Sequence, residues 1–179
     1  MAGSFKLRSP SDARTGPTAW RLAVVWGAVW LALAIGIGPA GAAEQQGGEV
    51  AVAVHRDVPI DALTLSDLRR IVLGDREFWP GSLRVTILLR APVSHERDVI
   101  LKTVCQMTEA QFRQHWIGKV FRADAAVAPK IVYSAEMSID LVNRIPGAIT
   151  FVDAASVRGN LKLVRIDGRL PGEPGYALR

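Results

Sequence analysis

Residues 65–97 pack a helix, a turn, a strand and the start of a second helix into one short run, and no other stretch restricts the fold as much. Leu65, Leu68, Ile71 and Val72 share one face at helical spacing. Ser66 is placed to cap that helix, which is predicted over 66–73, and Gly74 supplies the left-handed residue that ends it. Trp79, Pro80 and Gly81 force a turn. Residues 83–89 then read as a strand, being too rich in β-branched and apolar side chains for a surface loop. The strand empties at Arg90 into a short loop whose Ser94 caps a helix opening with His95, Glu96 and Arg97 and running to about 104. A strand feeding a helix N-terminus, with Arg90 and Arg97 on either side, is a place for an anion.

The same alternation continues on both sides. Residues 50–54, Val-Ala-Val-Ala-Val, form a continuous apolar run expected of a buried strand. Thr108 and Gln111 make a capping box for a helix over 109–117, with Phe112 and Trp116 four apart on its inner side. Residues 120–130 read as an irregular connection. Ser134 caps a helix through 144 whose buried stripe is Met137, Leu141 and Ile145. Pro146 and Gly147 break it, and strands at 148–152 and 161–166 close the chain before a Pro- and Gly-rich tail. Strands alternating with helices predict an α/β domain over 49–179 with a mixed, mainly parallel sheet flanked by helices.

The beginning of the chain reads differently. A basic segment ends at Arg21, an apolar run covers 22–38, and Pro39-Ala40-Gly41-Ala42-Ala43 supplies the small residues of a signal-peptidase site. The expectation is export, with a signal peptide over 1–43 cleaved near Ala43 or Ala42 and a linker at 44–48. The alternative is an uncleaved leader that anchors the domain, its only membrane attachment. Four of the 22 Lys and Arg residues and one of the 17 Asp and Glu precede residue 44, which leaves the remainder at a net charge of only +2. The basic balance belongs partly to the leader, so a nucleic-acid-binding face is not indicated.

Chemistry-bearing clusters are sparse. Cys105 is the single cysteine and its apolar setting suits an inert core thiol. His55, His95 and His115 lack metal-ligand spacing, and no catalytic triad or glycine-rich nucleotide loop is legible. A non-enzymatic protein without metal or cofactor is the expectation.

Taken in order, the Leu-Ser-Asp-Leu-Arg-Arg-Ile-Val-Leu-Gly run at 65–74, Trp79, the strand ending at Arg90, Phe112 with Trp116, Pro146-Gly147-Ala148-Ile149 and Ile166-Asp167-Gly168 resemble the phosphate-binding, type II periplasmic solute-binding proteins. The likeness is greatest to their short, single-domain phosphate transporter substrate-binding-like relatives and covers about residues 50–178. It implies a single lobe of that fold, a phosphate-like oxyanion as ligand and a membrane transporter or envelope protein as partner. The loop after Arg90 reads Ala-Pro-Val-Ser-His-Glu, without the glycines usual in that family, and Pro92 lacks an N–H donor.

The candidate ligand-binding set is Arg90, Ser94, His95, Arg97 and Ser134, with two arginines for charge-assisted bonds and two serines at helix starts. Two classes of function follow. One is a solute-binding module for a small oxyanion, serving transport or sensing. The other is an envelope interaction or sensor-accessory module that keeps the scaffold and has lost the pocket.

Overall fold

The computed structural model describes residues 47–124, 127–159 and 161–179; the leader at 1–43 and the start of the linker lie outside the described residues. A five-stranded sheet organises the domain. Its strands are β1 (Val50–Val54), β3 (Thr86–Arg90), β4 (Lys130–Val132), β5 (Ala148–Asp153) and β6 (Lys162–Leu163), in the order β4-β3-β5-β1-β6. β3 runs parallel to both β4 and β5, while β1 is antiparallel to β5 and β6. Four strands therefore share one direction and β1 alone opposes them, the mixed, mainly parallel α/β sheet expected. Two short strands, β2 (Ala62–Leu63) and β7 (Arg165–Ile166), pair in parallel beside it.

Side-chain alternation divides the core between the two faces. Val50, Val52 and Val54 join Leu89, Ile149 and Phe151 on one face. This face is covered by α1 (Leu65–Val72), by α2 (His95–Val99) with the π-helical turn Ile100–Cys105 that extends it, and by α3 (Glu109–Phe121). Leu88, Val132 and Ala148 point the other way, against Val142 of α4 (Ala135–Arg144). The tail folds back onto the sheet. Val50 N–H donates to the Leu178 carbonyl at 2.9 Å, and the buried Tyr176 hydroxyl donates to the Val50 carbonyl at 2.7 Å.

The expected elements shift in ways that local hydrogen bonding explains. α1 is capped by Thr64 rather than Ser66, because the extended backbone at Thr64 lets its hydroxyl accept the Asp67 N–H at 3.0 Å. The strand predicted from 83 begins only at Thr86, since Trp79 N–H donates to the Leu83 carbonyl and closes a turn there. Gly147 fixes the far side of that turn. Its φ is +74°, a Cβ would overlap the Arg84 carbonyl oxygen, and its own carbonyl accepts the Trp79 indole N–H at 2.8 Å. α3 continues to Phe121 instead of ending at 117.

Lys130–Val132 forms an edge strand where an irregular connection was expected. The predicted strand over 161–166 divides into β6 and β7, which belong to different sheets. On α4 the buried positions are Ser138 and Val142, with Leu141 and Ile145 half-buried; Met137 faces solvent. Ser138 tolerates burial because its hydroxyl donates to the Ser134 carbonyl at 3.0 Å. Cys105 is fully buried, and loss of hydration pushes its thiol pKa up to about 12. No described helix is long and apolar enough to cross a membrane.

Candidate functional site

β3 and β4 end side by side, with Arg90 in register with Val132. Four residues beyond Arg90, Ser94 opens α2; two beyond Val132, Ser134 opens α4. Parallel strands thus deliver two helix starts to one sheet edge, where strand-to-helix turns commonly hold ligands.

Arg90 is the cation at that edge. It is only 9% exposed, and its Nε lies 3.4 Å from Glu96 Oε1, close enough for an ion pair but not aligned for a hydrogen bond. Arg90 Nε and Nη1 and Glu96 Oε2 are all buried without a hydrogen-bond partner. Such unfilled capacity is uncommon inside a protein, where a buried charge pair normally has its remaining donors and acceptors satisfied.

A second carboxylate, Glu136, lies in the first turn of α4. Hydrogen bonds from its own backbone N–H and from Ser134 hold the Glu136 carboxyl below the usual carboxylate range, and the charges of Arg90 and Arg158 act in the same direction.

The remaining candidates take up distinct positions. Ser94 Oγ accepts the Arg97 N–H at 3.4 Å and Ser134 Oγ accepts the Met137 N–H at 3.0 Å, so both hydroxyls serve as caps. His95 Nε2 lies 2.8 Å from the Gly48 carbonyl oxygen and ties the start of α2 to the entry of β1. Arg97 faces inward. Its Nε and Nη2 donate to the two Glu109 carboxylate oxygens at 2.7 and 2.9 Å, Nη1 donates to the Arg90 carbonyl at 2.9 Å, and the guanidinium lies 5.6 Å from the Phe112 ring centroid. The structure gathers Arg90, Ser94 and Ser134 at the strand ends and sets His95 and Arg97 as braces behind them.

The loop itself carries strain. Val93 has φ +74°, a left-handed conformation that a β-branched residue seldom adopts, and its side chain is almost wholly exposed.

A separate feature lies beyond this edge. Leu89, Phe112 and Trp116 floor an apolar groove of about 660 Å³ between α3 and β4, walled by Ile117, Val120, Phe121, Pro129 and Ile131. Sequence reading assigned Phe112 and Trp116 to the core and passed over the groove. Its signal is the i, i+3, i+4 set Ile117, Val120 and Phe121, a second apolar stripe that ending the helix at 117 and reading 120–130 as an irregular connection divides.

No protein-family model and no curated protein matches the sequence. Solved structures do match the fold. An ABC-type phosphate transport receptor from Vibrio cholerae superposes with a TM-score of 0.55 at 20% identity, over 69% of this chain and 48% of its own. PstS from Borrelia burgdorferi gives 0.58 at 14% identity, over 73% and 53%, and the phosphate-binding protein from Stenotrophomonas maltophilia 0.50 at 12%, over 69% and 40%. The chain shares the fold of these phosphate-binding proteins over the matched residues. This binding-protein fold is present here as a single lobe, and the chain spans about half the length of the structures it matches.

Proposed function

We propose that this chain is an exported solute-binding module whose ligand is a small oxyanion, phosphate first, held at the ends of β3 and β4 with Arg90 as its cationic anchor. One observation carries the reading. Arg90 is buried at the sheet edge with Nε and Nη1 unbonded, beside two capped helix starts. An oxyanion supplies the acceptors those donors lack, and Ser94 and Ser134 offer hydroxyls to it. His95 and Arg97 act indirectly, His95 by holding α2 to Gly48 and Arg97 by fixing the Arg90 carbonyl. The named function of the neighbours, phosphate binding and ABC-type phosphate transport, agrees with this reading, and a membrane transporter is the partner it implies.

A second reading has its own observation. Glu96 already stands within ion-pair distance of Arg90, so the charge at the edge is matched from within. That favours an envelope interaction or sensor-accessory module in which the ligand site is silent.

Thermal unfolding of the purified protein with phosphate, sulfate and chloride separates the two. A ligand at 100 times its dissociation constant adds about 2.7 kcal/mol to native stability. A rise in Tm with one oxyanion and not with chloride supports the solute-binding reading, and no rise with any of them supports the second.

A further inference from the structure

We propose that the apolar groove between α3 and β4 is a docking site for an amphipathic helix of a partner protein, one that carries Asp or Glu along the flank of its apolar face. The proposal is independent of oxyanion binding at Arg90. Should it hold, it gives the interaction reading a surface.

The groove is open and its walls are wasted on solvent. Phe121 is 89% exposed, Ile117 56% and Ile131 49%. These residues form one continuous patch, and contiguous apolar surface of this kind marks an interaction site more often than scattered single residues do. The floor is concave and aromatic, made by Phe112 and Trp116, and the buried Trp116 indole N–H has no hydrogen-bond partner. α3 has 13 residues and so lines the groove for about 20 Å at 1.5 Å per residue, enough for three to four turns of a second helix. A concave apolar trough alongside a helix is the form that binds an amphipathic helix through anchors at i, i+3/i+4 and i+7.

Charge selects the occupant. Arg97, which faces inward at the end of the groove, is neutralised by Glu109. Among the described residues, Arg113, which lines the groove and is exposed, has no carboxylate within ion-pair distance. A second copy packed groove to groove would bring two unpaired Arg113 side chains together, whereas acidic residues flanking a partner helix complement Arg113. A flat bilayer surface would meet Phe121 and Val120 but leave Phe112 and Trp116 on the floor uncovered.

The test uses two fluorescent peptides of three to four turns, with leucines at helical spacing flanked in one by glutamates and in the other by lysines. Anisotropy is read on the full-length protein, on Arg113→Glu and on Phe121→Ser, both substitutions at solvent-exposed positions. The expected result is saturable binding of the glutamate peptide, weakened about tenfold or more by either substitution, and weaker binding of the lysine peptide. Equal binding of the two peptides, or no binding of the glutamate peptide, overturns the proposal. So does a groove that Phe121→Ser shows to serve self-association in sedimentation, or attachment to phosphatidylglycerol vesicles. The phosphate response of Phe121→Ser remains that of the wild type, which separates failure here from failure of the oxyanion reading.

Discussion

Arg97 meets Glu109 as a two-pronged pair, with Nε and Nη2 donating to the two carboxylate oxygens at 2.7 and 2.9 Å. The third donation, from Nη1 to the Arg90 carbonyl, links that pair to the end of β3. Glu109, fifteen positions past Ser94 and in a different helix, thereby fixes where the candidate anchor sits.

Glu109→Ala leaves the buried Arg97 cation without its counter-ion. Glu109 is itself partly solvated, so the cost falls between that of a surface pair and that of a fully buried one, at about 2 kcal/mol. Urea unfolding is expected to show that loss, with the m-value unchanged.

Val93 offers a gain. Its left-handed backbone costs a β-branched residue about 1–2 kcal/mol, which glycine does not incur, while glycine gives back up to about 1 kcal/mol through the freer unfolded chain. Val93→Gly is therefore expected to stabilise the protein by up to about 1 kcal/mol in the same urea assay. A loss would mean that the exposed Val93 side chain makes a contribution the structure does not reveal.

Most of the scaffold could be read in advance because the signals were local. The apolar run at Val50–Val54 has room only in a buried strand, and the Thr108 box and the Ser94 and Ser134 caps marked three helix starts correctly. The failures had non-local causes. β4 has only three residues and follows Pro129, so its strand character comes from its register with β3 and not from its own sequence. Nothing around Val164 announces that β6 and β7 part into two sheets. At the candidate site, Arg90 and the serines were legible from their junctions. That Arg97 turns inward depends on Glu109, which only the packing of α3 brings near.

Tyr176 gives the fold an alkaline limit. Burial chiefly, with the Glu49 charge added, raises its phenol pKa above the usual tyrosine range, and its hydroxyl donates to Val50. A folded-state pKa above the unfolded one means that this contribution is complete below about pH 10 and is lost as pH rises beyond it. Stability measured from pH 8 to about 11.5 should fall over the upper part of that range. Tyr176→Phe should cost about 1 kcal/mol at neutral pH, from the lost hydrogen bond, and should flatten the alkaline decline.

Glu136 sets the sign of a charge test at the site. Its carboxylate sits where Arg90 and Arg158 both act on it, so it competes with any bound anion. Glu136→Gln is expected to tighten oxyanion binding several-fold, and an unchanged or weaker affinity would place the ligand elsewhere.

The most direct measurement is an isothermal titration of the protein with phosphate, repeated on the Arg90→Gln/Glu96→Gln double variant. Replacing both members of the buried pair leaves no uncompensated charge, so the fold is expected to persist while the anchor is lost. Saturable phosphate binding in the wild type, abolished in a folded double variant, is the predicted result. Equal binding by both proteins, or no heat of binding in the wild type at millimolar phosphate, would contradict Arg90 as the oxyanion anchor.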